Sequence, residues 1–174
     1  VNSNNDASKN VIIGKSSADK INSGNQNVII GAAAAQSITD GNENIIIGSE
    51  STSSEGSSGP ARSLNTGSKN IIMGTKSAEL LTTGDENIAL GYKSLISNTV
   101  GSYNTAVGAR SLYSNTSGNN NTAIGYYTLF RNTTGSDNAG LGYLTLYKNT
   151  TGARNTAFGN SSMFSNITGN KNTA

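Results

Sequence analysis

The side chains that could carry chemistry are few, and the commonest catalytic ones are missing. The 174-residue chain has no His, no Cys and no Trp. That removes the usual general base near neutral pH, the thiol nucleophile, the disulfide framework and the Cys/His metal site. Catalysis would fall to Asp, Glu, Lys or Tyr. The acidic residues are unevenly placed: residues 1–87 hold six basic and nine acidic side chains (−3), residues 88–174 six basic and only Asp137 (+5). The usual glycosidase mechanism needs two facing carboxylates, so a glycan-cleaving spike is the least favoured of the competing readings. No catalytic residue, metal site or cofactor is expected. A charge of +5 spread this thinly is weak for nucleic acid, which favours clustered Lys and Arg. Four tyrosines, Tyr92, Tyr126, Tyr127 and Tyr143, sit on an otherwise Asn/Thr-rich background. Phenol rings on a polar surface suit sugars, which offer an apolar face and hydroxyls together, and these four are candidate ligand contacts.

The elements that must position them are set by repetition. Gly14, Gly31, Gly48, Gly74, Gly91, Gly108, Gly125, Gly142 and Gly159 recur every 17 residues, except for one gap of 26. Four residues before each stands Asn10, Asn27, Asn44, Asn70, Asn87, Asn104, Asn121, Asn138 or Asn155, and Asn172 opens a further unit. A second Gly stands three residues before each Asn from Gly24 to Gly169, and the two columns take 18 of the 21 Gly. Two Gly per unit disfavour a helix, whereas short β-branched runs between Gly and Asn turns read as strands. One unit cannot bury its apolar residues alone; units stacked about 4.8 Å apart can. The expected fold is all-β, a parallel β-solenoid with one 17-residue repeat per coil and about nine to ten coils. The Asn and first-Gly columns are read as a structural ladder: stacked amides bond along the stack, and both Gly columns are expected at corners needing positive φ.

Three stretches follow: a lead-in (1–9), a sub-array with Ile-rich strands (10–86), and a sub-array with Ala, Leu and aromatic columns (87–174). Between the sub-arrays bulk moves around the coil. Ile12, Ile29, Ile46 and Ile72 give way to Ala89, Ala106, Ala123, Gly140 and Ala157. Ala18, Ala35, Thr52 and Ala78 give way to Leu95, Leu112, Leu129, Leu146 and Met163, while Ile21, Ile38, Leu64 and Leu81 become Asn98, Asn115, Asn132, Asn149 and Asn166. A close-packed interior requires such an exchange. The early strands are apolar on both faces, and alternation is expected to turn the middle Ile outward. An exposed Ile stripe favours self-association along the rod, with the later Ala and Gly letting neighbouring chains approach.

The gap of 26 marks a nine-residue insertion within residues 49–63, a Ser/Gly-rich loop in which Ser53, Glu55 and Arg62 are candidate binding residues. Tyr113, Phe130, Tyr147 and Phe164 form a stricter ladder that reads as packing, in the core or between chains. Thr116-Ser117, Thr133-Thr134 and Thr150-Thr151 raise ice binding, but Asp40, Val100 and Ile167 interrupt the column. Charges before the Asn column (Glu43, Lys69, Glu86; Asp137, Arg154) place opposite signs on neighbouring coils, which fixes register.

Asn104 to Leu112 (Asn-Thr-Ala-Val-Gly-x-x-Ser-Leu), Asn121 to Gly125 and Asn87 to Gly91 resemble the repeats of trimeric autotransporter adhesin heads and of related trimeric surface and phage tail fibres. The resemblance spans residues 10–174. It implies a left-handed parallel β-roll, a homotrimer around a shared axis, and attachment to host or prey surfaces. The family's head repeat is typically shorter, with its Asn one place further from the Gly. No apolar stretch approaches the 18 residues of a membrane span, so no membrane insertion is expected. No signal peptide is expected in these residues, and Val1 in place of Met reads as a mature or excised piece. The expected function is a structural and adhesive segment of an extracellular fibre, on a bacterial cell surface or a virion, that binds glycan or protein receptors. A phage receptor-binding tail-fibre segment is the alternative, and an ice-binding solenoid the third.

Overall fold

The computed structural model describes residues 8–50 and 58–174. Within them lie nine three-residue strands: β1 (Val11–Ile13), β2 (Val28–Ile30), β3 (Ile45–Ile47), β4 (Ile71–Met73), β5 (Ile88–Leu90), β6 (Thr105–Val107), β7 (Thr122–Ile124), β8 (Ala139–Leu141) and β9 (Thr156–Phe158). They form one parallel sheet in chain order. Pairing follows the repeat residue by residue, with Val28 on Ile45, Ala89 on Ala106 and Ala139 on Thr156. A bridge from Thr156 to Thr173 starts the next coil. The chain is an all-β parallel solenoid of about eight turns, with no helix among the described residues.

The strands are short because glycine and left-handed residues end them, yet the stacking does not stop there. Leu112 N donates to Thr128 O (3.0 Å), Ser114 N to Phe130 O (3.0 Å) and Thr116 N to Thr133 O (2.9 Å), all between successive coils. The irregular arc therefore carries its own ladder and meets its backbone hydrogen-bonding needs. Its winding is tight. On a typical coil Tyr103, Arg110 and Leu112 all adopt positive φ (60°, 58° and 48°), at about 1–2 kcal/mol each.

The two glycine columns have different causes. The first runs at φ of 114–148°, a region essentially confined to glycine. The second does not adopt positive φ, which corrects the expectation for that column. There the reason is contact: a Cβ on Gly101 would lie 2.5 Å from Gly118 O on the next coil.

The phase of the strands is also corrected. Ile29, Ile46 and Ile72 point into the coil and are fully buried, as are Ala89, Ala106 and Ala123. The buried Asn preceding each strand fixes this. With Asn inside, alternation sends the first and third strand residues out and the second in. The later Ala and Gly140 therefore do not open an approach for neighbouring chains; they make room inside. The outward stripe is instead two columns wide. The third-residue column, Ile13, Ile30, Ile47, Met73, Leu90, Val107, Ile124, Leu141 and Phe158, is apolar throughout. Ile13 is 57% exposed and Phe158 71%.

The exchange of bulk occurs within one continuous core. Ile29, Ile46 and Ile72 face Ala35, Ala61 and Ala78, whereas Ala89, Ala106 and Ala123 face Leu95, Leu112 and Leu129. Ala61, and not Thr52, fills this column in the third coil: it is buried at φ 48° and its N–H donates to Ser77 O (2.9 Å). Glu50 N still bonds Ala32 O (2.9 Å) and Ala35 N bonds Pro60 O (3.0 Å), so the inserted residues are 51–59. Thr52 lies outside the described residues.

Candidate functional site

Two amide ladders run through the interior. In the first, Asn104 Nδ2 donates to Asn87 Oδ1 (3.2 Å) and to Gly118 O (2.9 Å), while Asn121 returns both its backbone N (3.0 Å) and its Nδ2 (3.1 Å) to Asn104 Oδ1. The pattern holds from Asn10 to Asn172. The second ladder exists only in the later sub-array, where Asn replaces Ile and Leu. Asn115 Nδ2 donates to Asn98 Oδ1 (3.0 Å) and to Gly118 O (3.0 Å). Gly118 O thus accepts from both ladders and uses both lone pairs. No buried side-chain polar atom among the described residues lacks a partner. These asparagines are committed to structure.

The surface chemistry gathers around the first-Gly corner of the later coils. Tyr113, Phe130, Tyr147 and Phe164 stack in sequence with centroids 4.9, 5.2 and 5.1 Å apart. All four are half-buried, so they form an outer ladder and lie outside the coil's core. Tyr127 packs edge-on against Phe130 (4.8 Å) and Tyr126 against Tyr127 (4.3 Å), and Tyr126 stacks parallel to Tyr143 (5.9 Å). Offset stacks and edge contacts are the favoured geometries for such rings. Three of the four candidate tyrosines therefore join one aromatic cluster. Tyr92, two coils earlier, contacts none of these rings and lies beneath Lys93 Nζ (5.2 Å). Arg62 is exposed in the ring-ladder column, three coils before Tyr113. Ser53 and Glu55 lie outside the described residues.

Cations accompany the rings: Arg110 over Tyr127 (5.4 Å), Arg131 over Tyr147 (5.8 Å) and Lys148 over Phe164 (5.2 Å). Arg110 Nη1 also donates to Tyr127 Oη. That bond lowers the Tyr127 phenol pKa and raises that of Arg110, while the hydrogen bond between the two tyrosines, followed by desolvation, raises Tyr126. Sequence reasoning passed over these cations because it summed charge over half the chain. The available signal was columnar: Lys76, Lys93 and Arg110 share one column, and Arg131 and Lys148 stand next to the aromatic one. Elsewhere on the coil Arg154 and Asp137 do pair across neighbouring coils (Nε to Oδ2, 3.8 Å).

The threonine column is occupied differently. Thr82, Thr99, Thr116, Thr133 and Thr150 each donate their hydroxyl to a carbonyl of the next coil, at 2.8–3.2 Å. Among the described residues no group of three or more His, Cys, Asp or Glu could hold a metal ion, and no helix is long and apolar enough to cross a membrane. Compared with known proteins, the chain matches no family model, no curated protein and no solved structure.

Proposed function

We propose that this chain is a non-enzymatic structural and adhesive segment of an extracellular homotrimeric fibre that attaches to glycan or protein receptors. The observation that carries the reading is the outward sheet face, where a nine-residue apolar column runs unbroken from Ile13 to Phe158. At about 4.8 Å per coil it is roughly 38 Å long. Monomers rarely leave such a stripe in water. Beside it runs the first-residue column, Val11, Val28, Ile45, Ile71 and Ile88, continuing as Thr105, Thr122, Ala139 and Thr156. A closed threefold ring joins one patch to a different patch on the next subunit, and two parallel columns on one face offer that pair. Near β8 the face is hollowed into an apolar groove of about 220 Å³ between Ile124, Leu141 and Phe158, a seat for side chains of a sister chain. The motif resemblance to trimeric adhesin heads and tail fibres supports the same arrangement and gives the left-handed sense to the proposal. Cell surface and virion remain the two settings. Ice binding gains no support from the Thr82 to Thr150 column, whose hydroxyls donate to carbonyls of the next coil.

The test is molar mass in solution by light scattering. Three chains per particle are expected, and Ile124→Lys with Leu141→Lys should return monomers that keep the β signature, because both side chains face outward. A wild-type monomer contradicts the proposal.

A further inference from the structure

We infer that the aromatic and basic corner of the later coils is a binding site for a linear acidic glycan, carboxylated or sulfated, lying along the rod axis. The inference rests on reading the chain as a displayed adhesive rod and names the ligand class of that surface. Its first support is uncompensated charge. Arg131 and Lys148 hold equivalent positions on successive coils, roughly 4.8 Å apart in rise. Like charges facing each other across a parallel stack are destabilising. Elsewhere on the rod Asp137 and Arg154 set opposite signs on neighbouring coils. At Arg131 and Lys148 it stacks like on like, and the contacts these two make are with rings, not carboxylates. An aromatic face holds a guanidinium or ammonium in place and leaves its N–H donors directed outward. A polyanion would relieve the repulsion.

The second support is what surrounds them. Tyr126 and Tyr143 are exposed, 45% and 49%, at the rim of the same cluster. They add phenol hydroxyls and apolar edges beside the cations, the mixed surface a sugar presents in return. Two coils, roughly 9.6 Å, approach the length of a disaccharide unit, so a repeating acidic chain can meet equivalent positions in step. Single-stranded nucleic acid fits less well. Its bases need open ring faces to stack on, and the ring ladder closes its faces on itself at about 5 Å spacing.

The site lies round the glycine corner from the outward sheet face, so a trimer formed on that face leaves it open. The experiment is equilibrium binding of the purified chain to heparin, hyaluronan, neutral dextran and oligothymidylate at several salt concentrations. Binding to at least one acidic glycan is expected, weakening as salt rises, with dextran inert and the oligonucleotide weaker. Arg131→Gln with Lys148→Gln should weaken glycan binding by about tenfold or more, Arg131→Glu with Lys148→Glu should abolish it, and Arg131→Lys with Lys148→Arg should retain it. Unchanged ellipticity shows that each variant keeps its fold. The inference is overturned if neither acidic glycan binds, if the glutamine pair binds as wild type, or if the oligonucleotide binds as tightly as the glycans. Molar mass separates this from the fibre reading: a monomer that binds keeps the site and loses the trimer, and a trimer that does not bind does the reverse.

Discussion

Replacing Asn104 by Ala should cost about 4 kcal/mol of unfolding free energy in urea titration. The side chain is fully buried. Its removal breaks Nδ2 bonds to Asn87 Oδ1, Ser102 O and Gly118 O, and two from Asn121 to Asn104 Oδ1. Some partners keep a second bond: Gly118 O retains Asn115, and Asn121 Nδ2 retains Gly135 O. The backbone N–H of Asn121 loses its acceptor, and a buried orphan donor is what makes the change expensive. Asn104→Asp separates acceptance from donation. The carboxylate can still receive Asn121 but cannot donate, and burial raises its pKa above the unfolded value of about 3.9. The stability of that variant is therefore greatest below the unfolded pKa and falls as pH rises through the folded one. Asn172 is exposed at the end of the described stack, and its side chain donates only to Asn155 Oδ1. Asn172→Ala should cost about 1 kcal/mol or less. Equal losses at Asn104 and Asn172 would show that the ladder is not the source.

The second large effect is expected at the first-glycine corner. Gly91 has φ +136°, and a Cβ there would stand 2.8 Å from both C and O of Gly108, which is backbone and cannot swing aside. Gly159 has φ +114°, and a Cβ there would meet nothing within 4 Å. Gly159→Ala therefore carries only conformational strain, about 1–3 kcal/mol. Gly91→Ala adds an overlap between successive coils and should lose about 4 kcal/mol or more, or fail to fold. The difference between the two, measured by thermal or urea unfolding, isolates the closeness of the stack from the demands of φ. Similar losses at both sites would mean that the coils are not in contact there.

The spacing of Asn and Gly made the coil and its register legible without coordinates, because a stack repeats each local choice on every turn. What the spacing could not show was phase. A three-residue strand with apolar residues at every position offers no alternation to read, so Ile29 could face either way until Asn27 was known to lie inside. The second glycine column was misread for a related reason, since sequence cannot distinguish a glycine needed for φ from one needed for contact. Gly24 and Gly101 are of the contact kind. The insertion could be bounded only loosely, as Thr52 and Ala61 both suit a small-residue column. At the surface, Tyr126, Tyr127 and Tyr143 were legible as aromatics on a polar background. Their union with Phe130 and Tyr147 was not, because it joins three different columns around a corner.

All of this depends on consecutive 17-residue units lying directly over one another. The absence of native cysteine permits a direct test by engineered cross-linking. Ser102 and Asn119 are equivalent positions on successive coils, where Asn119 Oδ1 accepts from Ser102 N (2.8 Å). Their separation of one coil, about 4.8 Å, falls within disulfide reach, whereas Ser102 and Ser136 are two coils apart and beyond it. Ser102→Cys with Asn119→Cys should oxidise to an intramolecular disulfide, and Ser102→Cys with Ser136→Cys should remain reduced. Equal oxidation of the two pairs, or none of the first, would contradict the stacked rod.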